Sequence, residues 1–375
     1  LHDRPTAIVV GAGVFGAATA LALVRRGWRV TVLEAAEPGH GHASSGGASR
    51  LLRCSHGSQA WYTALAWAAR DGWRTLEDET GQQVIVETGL VWFARDAQGW
   101  EADSHAVLSA QGIPAERLTA DRIAELFPSV RTDDLAFGLW EPHGGVLRAQ
   151  VGTRALVSRA ATLGAVVRIG ATATPAGGAV RVGGEVHRAD RVVWACGPWL
   201  PAVFGDRLRL TVTQQDACWF VAGEAWRGDR IPAWVDFAGA AYGTGDVDGR
   251  GFKCASDRQG PPFDPDTDDR SALPAHVAAA RAILGHRFPA LAEVALDGTH
   301  TCQYTTTIDT EFLIAPLDGD RVWVAGGGSG HAFKHGPALG EYVADVLDGT
   351  RAPDPRFGLG RRRPAGSLRT AGHQG

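Results

Sequence analysis

Methionine is absent from this chain of 375 residues, and lysine occurs only at 253 and 334 although Lys and Arg together number 37. Arg therefore fills nearly every position where a generic cation would do. A retained Lys points to a need for lysine itself, a compact ammonium with a tunable pKa and no planar fork. Tyrosine is nearly as scarce, with four. The five cysteines, at 54, 196, 218, 254 and 302, are odd in number and lack metal-type spacing. That argues against a disulfide scaffold, gives no expectation of a metal site, and suits a reduced, cytoplasmic protein. No apolar run is long enough to span a bilayer, and no signal-peptide pattern is present, so no membrane partner is expected. A net charge of −4 and a pI near 6.4 give no general attraction to nucleic acid. No internal repeat is visible.

What is present is a sizeable apolar fraction, 45%, and a length that suggests about two domains. The chain is organised around PTAIVVGAGVFGAATALALVRRGWRVTVLE, residues 5–34. Ala7 to Val10 reads as a buried parallel strand. It runs into Gly11-Ala-Gly13-Val14-Phe15-Gly16, then a helix over Ala17 to Arg26, then a strand from Arg29 ending at Glu34. Gly11 makes the tight turn, Gly13 lets backbone approach a pyrophosphate, and Gly16 lets helix pack on strand. The pyrophosphate would sit on the helix N-terminus, where free N–H groups favour negative charge. Glu34 stands where an acid accepts hydrogen bonds from ribose hydroxyls and would repel a 2′-phosphate. Strand, helix, strand and acid together predict dinucleotide binding; a turn that merely tolerates glycine is the competing explanation.

Residues 39–53, GHGHASSGGASRLLR, read as a loop too rich in Gly and Ser for a strand, wrapped over the cofactor with Arg50 and Arg53 inward. Trp61 to Thr80 reads as an amphipathic helix, Glu87 to Ala94 as a strand, and Asp190 to Trp199 as a strand returning to the dinucleotide sheet with Gly197 near the cofactor. From Thr211 to Thr307 alternating strands predict a second, mostly antiparallel unit. It carries Trp219, Trp226 and Trp234, and is interrupted by a helix near Pro274 to Leu284. Arg321 to Ala325 is a last buried strand, followed by the glycine loop GGGSGHAFKHGPALGE and a helix. The expected architecture is α/β, a Rossmann-like dinucleotide-binding domain with a second α+β substrate domain built on an antiparallel sheet. The expected division is 1–85, 146–210 and 316–350 for the first and 86–145 and 211–315 for the second. Residues 351–375, rich in Pro, Gly and Arg, are expected to be a disordered or surface tail.

The glycine triplet with Glu34, SSGGASRLLR, TCQYTTTIDTEFLI and GGGSGHAFKHGPALGE together resemble the monomeric sarcosine oxidase and N-methyltryptophan oxidase group of flavin amine oxidases, in the D-amino acid oxidase superfamily. The resemblance runs from about residue 5 to residue 348. It implies FAD, a monomer, a small-molecule amine substrate and dioxygen as acceptor. Cys302 stands where that family attaches FAD through a thioether. Arg53 and Lys334 match the residues that hold the substrate carboxylate, and Lys253 matches the lysine that activates dioxygen. The resemblance places Lys253, Arg50, Tyr304, Tyr242 and His331 in catalysis, and Arg53, Lys334, Tyr242 and Asp257 at the substrate. It places Gly11, Gly13, Val14, Phe15, Gly16, Glu34, Ser45, Arg50, Gly197, Cys302, Gly328, Gly330 and Lys334 at FAD. Asp257 and Gly46 depart from the family, each standing where sarcosine oxidase has a histidine. With the three tryptophans, these departures point toward a bulkier, aromatic or cyclic substrate. Three other readings stand beside the oxidase: a flavin dehydrogenase with a protein acceptor, a pyridine-nucleotide dehydrogenase, and a dinucleotide sensor without turnover.

Overall fold

The computed structural model describes residues 4–360. Its architecture is mixed α/β, with two large sheets. The first has the strand order Leu313–Asp318, Val322–Gly326, Arg191–Trp194, Thr6–Val10, Arg29–Glu34, Val166–Ile169. All run parallel except Leu313–Asp318. Thr6–Val10 sits inside the sheet and is buried from Ala7 onward, which explains its continuous apolar run.

The helix Val14–Arg25 starts three residues earlier than its composition suggests, directly after Gly13. It is buried almost throughout, because helix Gly336–Leu347 covers its outer side. The two come close at Gly340, where an added Cβ would meet the Ala18 carbonyl oxygen at 2.4 Å. The far end of the sequence is thus packed onto the first helix.

The second sheet has eight strands, in the order Leu296–Thr306, Thr211–Phe220, Phe252–Ser256, Ala241–Thr244, Ala233–Asp236, Leu90–Ala94, Phe137–Glu141, Glu116–Leu118. It is antiparallel except where Ala233–Asp236 lies parallel to Leu90–Ala94. Gln215 is opposite Cys302, Thr213 opposite Tyr304, Trp219 opposite Lys253, and Tyr242 opposite Ala255. Alternation of side chains then puts Gln215, Trp219, Tyr242, Lys253, His300, Cys302 and Tyr304 on one face. The other face carries Phe220, Trp234, Phe252 and Phe288 in a core roofed by helix Pro274–Arg287.

Four local expectations are corrected. The end of the 39–53 loop is a strand, Ser49–Leu52, because it pairs with Gly145–Arg148 and this pairing outweighs its composition. The strand expected over Glu87 to Ala94 begins only at Leu90: Gly89, with φ of 69°, turns the chain before it, and Ile85–Val86 upstream joins a different sheet. The strand expected over Asp190 to Trp199 ends at Trp194, and Gly197–Trp199 is a 3-10 turn. The segment after 350 is not all surface: Phe357 is fully buried, its ring centroid 5.1 Å from Trp61 and 5.7 Å from Tyr342. The rest of the expected tail, 361–375, lies outside the described residues.

Candidate active site

The first strand–helix turn opens a cavity of about 680 Å³, within the usual range for cofactor sites. Gly11 has φ of 97°, and a Cβ there would meet the Ala195 carbonyl oxygen at 2.5 Å. A Cβ on Gly16 would lie 1.9 Å from the Gly11 carbonyl oxygen. Gly16 does not line the cavity; it permits the close helix–strand packing that shapes it. Val14 donates its N–H to Ser45 Oγ at 2.9 Å. The first-turn N–H groups have no intrahelical partner and face an anion well. Glu34 accepts from Ala12 N–H at 2.6 Å and Ala36 N–H at 3.0 Å, so its carboxylate is pinned at the cavity wall. Gly11, Gly13, Val14, Phe15, Glu34, Ser45, Arg50, Gly197, Gly328 and Gly330 all line this space.

The cavity abuts a smaller pocket through shared residues Arg50, Tyr304, Gly330 and Phe333. Around the smaller pocket stand Arg50, Arg53, Tyr242, Lys253, Asp257, Cys302, Tyr304, Gly330, His331 and Lys334. Residues from both ends and the middle of the sequence therefore converge. Lys334 lines only this smaller pocket, not the larger cavity, and so does Cys302.

Arg50 Nη2 donates to the carbonyls of Ser44 and Gly46 at 2.8 Å each and lies 3.6 Å from Cys302 Sγ. Lys253 Nζ donates to Ser49 O and Ser49 Oγ, both at 3.2 Å, and lies over the Trp219 and Tyr242 rings at 5.6 and 5.3 Å. Burial, and then the Arg50 charge, lower its pKa to about 7. Tyr242 is pushed up to about 12, by burial first and then by Asp257.

Lys334 Nζ donates to the His331 carbonyl at 2.6 Å, and Arg53 donates to the Ser55 carbonyl while stacking over Trp92 at 5.0 Å. Both are buried, at 3% and 6% exposure. Burial and then the Arg53 charge hold the Lys334 ammonium well below the ordinary lysine range. Arg53 and Lys334 line the same pocket, a wall of N–H donors that suits a carboxylate. His331 Nε2 lies 2.9 Å from the Thr310 carbonyl oxygen. With His56 and His335 it forms a buried cluster whose ligand atoms lie within 4.8 Å of one another. Burial, then Lys334, keeps His56 and His335 neutral. The same Lys334 and Arg53 charges oppose a metal ion there.

Several lining residues carried no signal in the sequence. Ser49, Gln215 and His300 reach the pocket only through strand register. His300 is pushed down to about 4 by burial and then Arg50. Gly46 leaves no room for a side chain, since a Cβ would meet the His40 carbonyl oxygen at 2.2 Å. Of the three tryptophans taken as a hint of a bulky substrate, only Trp219 lines the pocket; Trp226 and Trp234 belong to the core on the opposite face.

The family described as FAD dependent oxidoreductase, DAO, matches residues 6–346. The chain belongs to this family. Its likeness to "Monomeric sarcosine oxidase" of Streptomyces avermitilis is 32% identity over 362 residues, 92% of this chain and 94% of the relative. "N-methyl-L-tryptophan oxidase" of Salmonella arizonae is 26% identical over 349 residues, 90% of this chain and 93% of the relative. Among solved structures, NikD, "an unusual amino acid oxidase essential for nikkomycin biosynthesis", superposes with a TM-score of 0.76 at 25% identity, covering 96% of this chain and 98% of that one. L-proline dehydrogenase from P. horikoshii gives 0.82 at 20% identity, covering 96% and 98%, and shows the shared fold. The cradle of glycines, the pinned Glu34 and the first-turn N–H groups fit the family's FAD. Among the described residues, no helix is long and apolar enough to cross a membrane.

Proposed function

We propose that this family member is an oxidase of carboxylated secondary or cyclic amines, yielding an imine and hydrogen peroxide. The observation that carries the reading is the buried Arg53 and Lys334 pair beside the junction of the two cavities. A substrate carboxylate beside them would accept charge-assisted hydrogen bonds. FAD supplies the two-electron acceptor when bound. Gly11, Gly13, Glu34 and Ser45 would hold its dinucleotide part, and Cys302 its covalent link, with Arg50 beside the sulfur. Tyr242 and Tyr304, on the sheet face, would close the pocket over the amine. Lys253, on the same face but held by Ser49, is the residue we assign to dioxygen. The eight-stranded sheet is then the wall of a substrate domain, and the reading is of a cytoplasmic monomer.

Separate measurement of the two half-reactions tests this. The purified protein should be yellow, and an anaerobic panel of N-methyl and cyclic amino acids should bleach it. Lys334→Met should weaken carboxylate ligands by a large factor, since deleting one partner of a buried charge pair typically costs about 2–5 kcal/mol. Lys253→Met should leave reduction within a fewfold and slow reoxidation by about a hundredfold, the usual range for one lost electrostatic stabiliser. A native enzyme that is reduced by amines but reoxidised only by a dye or protein would make it a dehydrogenase.

A further inference from the structure

Glu141 ends strand Phe137–Glu141 and is 3% exposed. It does not line the pocket. Its Oε2 accepts from Cys54 N–H at 2.6 Å. Its Oε1 accepts from the Ser55 hydroxyl at 2.6 Å, Trp92 Nε1 at 2.8 Å and Ser55 N–H at 3.3 Å. An ionised carboxylate has about four acceptor sites, and four donors meet this one. Strand register brings Trp92 there. Glu141 is opposite Leu90, and Trp92, two positions along that strand, points to the same face. Cys54 and Ser55 arrive from strand Ser49–Leu52, which belongs to another sheet. Glu141 thus ties two sheets together at one point.

What the three donor residues share is Arg53. Cys54 follows it in the chain. The Ser55 carbonyl accepts from Arg53 Nη1, and the guanidinium lies over the Trp92 ring at 5.0 Å. Ser55 and Trp92 therefore turn their N–H and O–H groups to Glu141, and a carbonyl and a ring face to Arg53. Burying a charge is costly unless it is hydrogen-bonded, and a packed apolar residue would join the two sheets as well. An acceptor adds direction. It fixes the backbone at Ser55 and the rotation of the Trp92 indole, two surfaces on which the guanidinium rests.

Resting on the function proposed above, we infer that Glu141 is a positioning residue for the carboxylate clamp. It orients Arg53 through Ser55 and Trp92, and so sets the affinity for carboxylated ligands without touching them. Its effect belongs to ligand binding and not to electron transfer, because every link in the chain ends at Arg53.

The test uses the FAD-loaded enzyme with Glu141→Gln and the milder Ser55→Ala, which removes one hydrogen bond to the carboxylate. Flavin content and the urea midpoint check folding, and Ser55→Ala decides if the Gln variant does not load. The amine is one that bleaches the native flavin without oxygen. Glu141→Gln should raise the concentration for half-maximal reduction by about ten- to a hundredfold, the scale of a misplaced binding group. The limiting rate should stay within about threefold, as expected when only binding is lost. Ser55→Ala should act in the same direction by about three- to tenfold. A second arm needs no turnover: methoxyacetate, a carboxylate without an amine, read from the visible spectrum of bound FAD, should weaken by similar factors. The third arm is a cycle with Arg53→Met. In that background Glu141→Gln should cost less than about threefold more at low substrate, because residues acting through one group are not additive. Unchanged affinities, a loss confined to the limiting rate, or full additivity with Arg53→Met would overturn the inference. A native enzyme that binds neither amine nor methoxyacetate would overturn the proposed function and this inference with it. A Gln variant that matches a native enzyme binding both would overturn this inference alone.

Discussion

Arg50 Nη2 lies 3.6 Å from Cys302 Sγ, across 252 positions of sequence, while it also donates to the backbone carbonyls of Ser44 and Gly46. The guanidinium is thereby held beside the one cysteine on the pocket face of the large sheet. Cys196, which lines the larger cavity instead, is pushed up to about 12 by burial and then by Glu34. A thiol that resists ionisation is a poor nucleophile.

This contrast predicts where a flavin link forms. Acid-precipitated protein should stay yellow with a mass gain of about one FAD per chain, carried by the cysteine beside Arg50. Cys302→Ser should release the flavin, and Cys196→Ser should not. Arg50→Gln should slow attachment during reconstitution of the flavin-free protein. Flavin that leaves the native protein in acid after full loading would refute the assignment.

Glu34 is held by two backbone N–H groups at the cavity wall. Replacement by Gln keeps its size and loses its charge. A charge-assisted hydrogen bond is worth about 1.5–3 kcal/mol, so FAD affinity in a Cys302→Ser background should fall by about ten- to a hundredfold. Equilibrium titration with FAD measures it, and an unchanged affinity would mean that Glu34 does not meet the ribose.

Lys253 carries a stability signature with a defined sign. Its folded pKa is about 7, below the ordinary 10.5. Between those values the unfolded chain binds the extra proton and the folded chain does not, so this group makes stability rise with pH. Below pH 7 the full cost of a buried ammonium is present, of order a few kcal/mol at about 1.4 kcal/mol per pKa unit. Flavin-free Lys253→Met should therefore resist urea better than its parent at neutral or lower pH. The advantage should vanish above the free lysine pKa. Parallel curves for the two proteins across that range would show that Lys253 is not buried in the folded state.

Phe357 packs against Trp61 and Tyr342 with no exposed surface. Truncating a buried Phe to Ala costs about 3–5 kcal/mol. Phe357→Ala should lower the urea midpoint accordingly, and a chain ended at residue 350 should do the same. A change near zero would return this segment to the surface tail that its composition suggests.

Local and periodic features were legible in the sequence. Gly11, Gly13 and Gly16, the apolar run before them and Glu34 after them specify the strand–helix–strand turn, because Gly13 and Gly16 answer contacts within a few tens of residues, while the close approach at Gly11 is to distant Ala195. The alternating pattern from Thr211 to Thr307 marked an antiparallel sheet, because strand side chains alternate. Tertiary structure alone decided which residues share a face and what that face meets. Lys253 stands near Cys302 because Thr211–Phe220 pairs with two strands at a particular register, and a slip of one residue would send every side chain to the other face. It also decided that Trp226 and Trp234 are core and not pocket, since sequence marks an aromatic residue but not the side of the sheet it fills. The strand at Ser49–Leu52 and the burial of Phe357 were hidden for the same reason. Gly- and Ser-rich or Pro- and Arg-rich stretches have little preference of their own, and a distant partner supplies the hydrogen bonds or apolar surface that orders them.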